Sequence, residues 1–364
     1  MAADSNPLLI VGAGLTGSLT ALALMKWRPD TPFILIDQAP RFGGGPIRPF
    51  FLGSVPLSNG SLIDSMIVRN WAGYRVAGPG FSRISDGRTA YLVPEQIHVE
   101  VLQALPPDRY LLGKKVVGIE RGGVSLADGW FLRGSLVLDM RGDSAHAQSG
   151  IAWRQTTSRL LRTSGPHGLE LPILVDATFP ASEWTFLQYC PVDPVTLLVQ
   201  YVGYFPDPAL RSIDTVAATG KEGRLLDEMV HMEALLGVPS SARNPGRILA
   251  QASLAERWNP ILSSSVAGAT RIAKAIADAS VMSEEGLRPR MERLAASASQ
   301  YRHRFAFLIE LLSTNDPLVR ASALSALAHL GREAMGRVEA ADARGDDIER
   351  LKLSAGFSAS RESH

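Results

Sequence analysis

The strictest constraint on this chain lies near its start. The apolar run Leu8-Leu9-Ile10-Val11 ends in Gly12-Ala13-Gly14-Leu15-Thr16-Gly17, and a helix-forming stretch, Ser18 to Trp27, follows. Between a strand and a helix, three glycines at this spacing have separate tasks. Gly12 permits the tight turn, Gly14 lets the backbone approach a pyrophosphate, and Gly17 lets helix and strand pack closely. The amides of the turn, with Ala13 among its residues, then face a phosphate where the helix dipole favours negative charge. Because the chain holds 33 glycines, the spacing gains its meaning from context. Phe33-Ile34-Leu35-Ile36 reads as a second buried parallel strand and ends in Asp37, twenty residues after Gly17, where an acidic side chain takes a ribose hydroxyl. The chain reads as a dinucleotide binder.

The stretch after Asp37 separates one dinucleotide from another. Gln38-Ala39-Pro40-Arg41-Phe42-Gly43-Gly44-Gly45 places a glycine cluster where nicotinamide dehydrogenases continue into a helix. This resembles flavoproteins whose second strand leads into the flavin site, with Gly43 and Gly44 beside the cofactor. Val116 to Asp139 fits that class too. Short β runs turn at Gly122-Gly123 and Asp128-Gly129, and then feed a last strand, Leu136-Val137-Leu138-Asp139. Asp139 and Gly142 follow at its carboxyl end, where ligands bind in open α/β sheets. FAD is the cofactor expected.

Charge and composition exclude other classes. Lys+Arg at 37 against Asp+Glu at 36 gives +1, without the basic excess of a nucleic-acid binder. One cysteine, Cys190, rules out an internal disulfide and a thiolate zinc cage, and the seven histidines are scattered, so no metal site is expected. No signal peptide is read in the polar first residues, and no apolar run reaches the roughly 18 residues of a membrane span. A cytoplasmic protein, soluble or peripheral to a membrane, is expected.

Texture divides the chain into an α/β domain over 1–150, a β-rich region over 151–210, a helical region over 211–353 and a loose tail over 354–364. Part of the substrate region is inserted into the first domain at about 46–100. Leu225, Met229, Met232 and Leu236 fall at i, i+4, i+7 and i+11, and Phe305, Leu308, Ile309 and Leu312 at i, i+3, i+4 and i+7. Both patterns predict a helix with a core-facing stripe.

Several segments resemble the bacterial lycopene β-cyclases, flavoproteins of carotenoid biosynthesis. They are Trp71-Ala72-Gly73-Tyr74-Arg75-Val76, Asp139-Met140-Arg141-Gly142, Pro166-His167-Gly168-Leu169 and Pro172-Ile173-Leu174-Val175-Asp176-Ala177-Thr178. A strand pair, Thr185 to Tyr189 and Val195 to Tyr204 with Asp193-Pro194 at the turn, follows in the expected place. The resemblance implies a Rossmann-type FAD domain, an interleaved β-rich substrate region and a helical C-terminal cap. It also implies a long isoprenoid or carotenoid substrate, reduced FAD with NADPH as possible reductant, and contact with a membrane surface. Family members carry an acidic residue in the second strand of the pair, where this chain has Gln200, followed by Tyr201 in place of a second acid. The family's later His-Pro-Thr-Thr-Gly-Tyr-Ser segment corresponds to Trp258 onwards, altered to Asn259, Ile261, Leu262, Ser263 and Ser264.

The implied reaction adds a proton to a terminal alkene, closes a six-membered ring and releases a proton. It needs an acid kept protonated by burial and electron-rich faces for the cation. Gln200 holds the acid's position without an acidic proton, and Asp176 and Glu183 are the substitutes within reach by sequence. Leu198, Gln200, Val202 and Tyr204 share one strand face by alternation, with Trp184, Phe186 and Tyr189 as candidate aromatic neighbours. Two other readings stand beside a weakened cyclase: an FAD-dependent oxidoreductase or monooxygenase on another hydrophobic substrate, and a catalytically silent isoprenoid-binding protein.

Overall fold

The computed structural model describes residues 6–45, 47–120, 122–141, 152–178, 185–205, 209, 223–235, 266–314 and 316–356. Its first layer is a parallel sheet in the order β12-β1-β2-β8, built from β1 (Leu8–Val11), β2 (Phe33–Asp37), β8 (Tyr110–Leu112) and β12 (Leu136–Asp139). β1 and β12 are buried at every position, because both faces are covered. Leu8 and Ile10 face a helical layer: α1 (Leu15–Trp27), α2 (Pro94–Ala104) and α3 (Val266–Ala277). Leu9 and Val11 face the meander of β9 (Val116–Glu120), β10 (Gly123–Leu126) and β11 (Phe131–Arg133), through Val116, Val124 and Leu126.

A mixed seven-stranded sheet carries the rest, in the order β17-β13-β16-β15-β14-β5-β6. Its strands are β5 (Tyr74–Gly78), β6 (Phe81–Ser85), β13 (Ala152–Thr163), β14 (Ile173–Asp176), β15 (Thr185–Asp193), β16 (Thr196–Phe205) and β17 (Gly223–Leu235). Only β14 and β5 run parallel; the other neighbours are antiparallel. A smaller sheet, β3 (Arg48–Phe51), β7 (Thr89–Leu92) and β4 (Ile67–Trp71), bridges to the first domain. After α4 (Glu284–Arg304), the helices α5 (Ala306–Ser313), α6 (Pro317–Ala328), α7 (Arg332–Glu339) and α8 (Gly345–Ser354) join the core on one face of the large sheet, with α5 against β13 and β16.

The strand pair and the meander form as read. The stripe at Phe305, Leu308 and Ile309 is fully buried, although the chain breaks at Phe305 between α4 and α5. The stripe beginning at Leu225 is corrected. Residues 223–235 form strand β17, paired along the length of β13, and Leu225, Leu226 and Val230 are exposed at 48%, 41% and 48%. The long β13 offers a row of backbone donors and acceptors that outweighs the local helical spacing. Leu236 lies outside the described residues, as does the segment from Trp258 to Ser265.

Candidate active site

The mouth of the parallel sheet is assembled from the turn residues. Gly12 has φ +105°, and a Cβ there would sit 2.9 Å from the Met140 carbonyl and the Arg141 nitrogen. A Cβ on Gly17 would run into the Gly12 carbonyl oxygen. Both glycines are therefore demanded by the protein's own packing. Gly14 is different. It stands at the N-terminus of α1 with φ −64° and ψ −169°, and among the described residues no atom outside its chain neighbours and its own helix backbone lies within 4 Å of the position its Cβ would take. Nothing in the protein requires a glycine there, so the open face is a cradle that a bound phosphate backbone would fill.

The glycine cluster closes the other side. Gly43, at φ +84°, donates its N–H to the Ala13 carbonyl at 2.8 Å, and a Cβ on Gly44 would lie 3.7 Å from Gly14 Cα. Asp37 ends β2 as read, and its carboxylate accepts the N–H groups of Ala13 at 2.5 Å and Ala39 at 2.7 Å. It ties the two loops together. Asp139 is buried, and its carboxylate takes Arg141 Nε at 2.8 Å and Nη2 at 2.7 Å, so it faces the mouth through that guanidinium. Gly142 lies outside the described residues.

Two residues missed in the sequence complete this end. Arg48 donates to the Gly43 carbonyl at 3.2 Å and to the Gly44 carbonyl, because Gly45, at φ +83°, bends the chain back. His98 on α2 accepts the Phe42 N–H on Nδ1 at 3.2 Å and lies 5.6 Å from the Phe42 ring. Burial, helped by Arg41, holds its pKa below the usual histidine value, which suits an accepting nitrogen. A glycine cluster followed by an arginine was the available signal for Arg48; for His98 there was none.

The second half of the site is a polar row across the large sheet. Gln200 on β16 stands opposite Ser158 on β13 and Gln188 on β15. Its Nε2 donates to Ser158 Oγ at 2.9 Å, and Gln188 Nε2 donates to the Leu174 carbonyl at 2.7 Å. Ser158, Gln188 and Gln200 are each 5% exposed or less. Two apolar clusters flank the row. Leu198 packs with Trp71, Tyr91 and Cys190, and with Ile47 and Leu160; Val202 and Tyr204 pack with Phe186, Tyr74 and the C-terminal helices. Ile47 directly precedes Arg48, so the cradle and the polar row are joined through one short segment. Among the described residues, Trp71 Nε1, Thr89 Oγ1 and Thr156 Oγ1 are buried in or beside these clusters without a hydrogen-bond partner.

Asp176 is not brought to Gln200. It pairs with Leu187, which alternates with Gln188 and so lies on the opposite face, and its carboxylate accepts the Thr178 N–H at 3.1 Å and hydroxyl at 2.6 Å. Tyr189 shares that opposite face, its hydroxyl pushed up to about 12 by burial and then by the Asp176 charge. Phe186 remains on the face of Gln200, stacked 6.3 Å from Tyr204. Glu183 and Trp184 lie outside the described residues.

With this geometry in place, known proteins can be set beside it. The family model for the lycopene cyclase protein matches residues 7–220. The chain belongs to the lycopene cyclase family. A lycopene β-cyclase from Pantoea ananas is 30% identical over 205 residues, 56% of this chain and 53% of that protein. The chain thus matches a little over half the length of its curated relatives. Among solved structures, a geranylgeranyl bacteriochlorophyll reductase-like protein from Thermoplasma acidophilum superposes with a TM-score of 0.67 at 13% identity, covering 96% of each chain. A flavin-dependent halogenase from Xanthomonas campestris gives 0.63 at 10% identity, covering 97% of this chain and 89% of that one. The fold is the FAD-binding Rossmann type of these flavoproteins.

Proposed function

We propose that this protein is a flavin-dependent cyclase of long isoprenoid chains, weakened by the glutamine at position 200. The observation that carries the reading is the pairing of two features. One is the open cradle at Gly14; the other is a buried polar row whose centre, Gln200, stands where the family's acid is found.

Gly12, Ala13, Gly14, Gly17, Asp37, Gly43 and Gly44 fit FAD, because Gly14 opens at the helix N-terminus with room beside it and Gly44 faces it in ordinary contact. Asp139 holds Arg141 at the same end of the sheet. When bound and reduced, with NADPH as reductant, FAD would supply an electron-rich ring beside a developing cation. The chain's own contribution is a dry sheet face flanked by Phe186 and Tyr204, which holds an alkene and excludes water. Ring closure is an isomerisation without net redox change, and Gln200 has no proton to start it. A polyene substrate partitions into bilayers, so the protein meets it at a membrane surface. No described helix is long and apolar enough to span one.

The test is turnover of lycopene with reduced FAD. Glutamate is nearly isosteric with glutamine, and burial favours its protonated form. Gln200→Glu is expected to raise β-ring formation by about 10²-fold above a low wild-type rate. Robust wild-type cyclisation would show that another acid acts. Failure of the purified protein to take up FAD would remove the cofactor assignment.

A second reading is favoured by one observation. The unpartnered Trp71 Nε1, Thr89 Oγ1 and Thr156 Oγ1 suit an apolar substrate that carries oxygen, on which a flavoprotein oxidoreductase would act. NADPH consumption without lycopene turnover distinguishes it.

A further inference from the structure

A cavity of about 450 Å³ opens between the β5–β6 edge of the large sheet and helices α6 and α7. Ala72, Tyr74, Val76, Leu171, Ala328 and Met335 line it. Its size is that of a ligand site, and its walls are mostly apolar.

Its place relative to Gln200 gives it meaning. Tyr74, Val76, Ala328 and Met335 belong to the cluster that holds Val202, and Leu171 packs on the cluster that holds Leu198. Gln200 sits between Leu198 and Val202. The cavity therefore borders both of the apolar clusters that flank Gln200. Three strand steps, from β16 through β15 and β14 to β5, separate it from Gln200, about 14 Å at the usual spacing.

Arg83, Ser85, Asp86 and Arg332 also line the cavity, and their polar groups are taken up within the protein: Arg332 pairs with Asp86, and Arg83 donates to the Ala328 carbonyl. Tyr74 Oη donates to Glu339 Oε1 at 2.7 Å, and Ser85 Oγ donates to the same oxygen at 3.0 Å. A Cβ at Gly87 would collide with that carboxylate, so the glycine leaves the room it needs. The buried acid thus fixes the Tyr74 hydroxyl in the protein, and the cavity meets the ring.

We infer that this cavity is the subsite for the non-reacting part of a long isoprenoid hydrocarbon whose reacting end lies at Gln200. The inference rests on the isoprenoid reading above. A chain longer than the reaction zone needs an apolar hold beyond it, and binding energy from remote parts of a substrate positions the reacting end. A short isoprenoid would not reach the cavity.

Ala72 is exposed at the cavity wall, so Ala72→Trp narrows the subsite without entering the core. Binding of lycopene in detergent micelles and of a ten-carbon acyclic terpene is measured by fluorescence quenching, on protein loaded with FAD. The expected result is at least a tenfold loss of lycopene affinity in Ala72→Trp, with terpene binding, FAD content and melting temperature unchanged. Equal lycopene affinity in wild type and variant overturns the inference and leaves the isoprenoid reading standing. Equal loss for both ligands also overturns it, since the cavity would then serve the reacting end. A wild type that holds FAD and binds neither ligand overturns the isoprenoid reading itself. Ala72→Ser controls for changing the position without filling it and should bind as wild type.

Discussion

The mouth of the parallel sheet and the inner face of the large sheet are built by opposite rules. At the mouth, residue identity follows from backbone geometry. Gly12 and Gly17 are required where a side chain would strike main-chain atoms, whereas Gly14 has open space where its Cβ would stand. On the large sheet, backbone geometry is uniform, and chemistry is carried by which side chains interrupt an apolar face. The turn cradle is therefore recognisable from strain and space, whereas the polar row is recognisable only from register.

The largest test of that contrast is Gly17→Val. The new side chain meets the Gly12 carbonyl, and the cost is expected at about 3 kcal/mol, seen as a lower melting temperature with or without FAD. Gly14→Val should separate the two causes. Its backbone conformation suits any residue and its surroundings are open, so stability should hold while FAD affinity falls about a hundredfold, about 2.7 kcal/mol. Equal destabilisation by both substitutions would erase the distinction between packing glycine and ligand glycine.

On the sheet, Gln200→Leu removes the hydrogen bond to Ser158 and leaves that hydroxyl buried. A loss of about 1 kcal/mol in urea unfolding is expected, with FAD affinity unchanged. A drop in FAD affinity would show that the polar row serves the cofactor.

The smallest effect concerns Glu339. Burial raises its pKa against the pull of the Tyr74 and Ser85 hydroxyls, and Arg83 lies near Tyr74. A folded-state pKa above the unfolded one gives a contribution that is complete below the unfolded value and lost as pH rises through the folded value. Glu339→Gln does not titrate, so its stability relative to wild type should improve as pH rises above the ordinary carboxyl range. A difference that does not change with pH would mean that burial does not raise the carboxyl's pKa.

Legibility in the sequence followed the same division. β1, the glycine turn, β2 with its terminal Asp37, and the β15–β16 pair were readable because each is specified by local residues. Strand β17 was not, since its partner β13 lies far away in sequence and its own spacing imitates a helix. Asp176 was misplaced for a related reason. β14 carries register irregularities against both its neighbours, and nearness in sequence to the strand pair does not tell which face of the sheet Asp176 reaches. Arg48 and His98 reach the cradle only after Gly45 bends the chain and α2 docks, neither of which is a pattern in residue order.

Helix α3 lies against α1, and Arg28 at the end of α1 donates to the carbonyl of Ala279, 251 residues further on. During synthesis, the apolar side of α1 must wait for that partner. At ordinary elongation rates the delay is roughly ten to fifty seconds. For that time the nascent first domain has its glycine turn but lacks a wall. Early capture of cofactor, or shelter by a chaperone, would matter most in this interval. Chains released before residue 277 should accumulate as aggregates and not as a stable nucleotide-binding fragment.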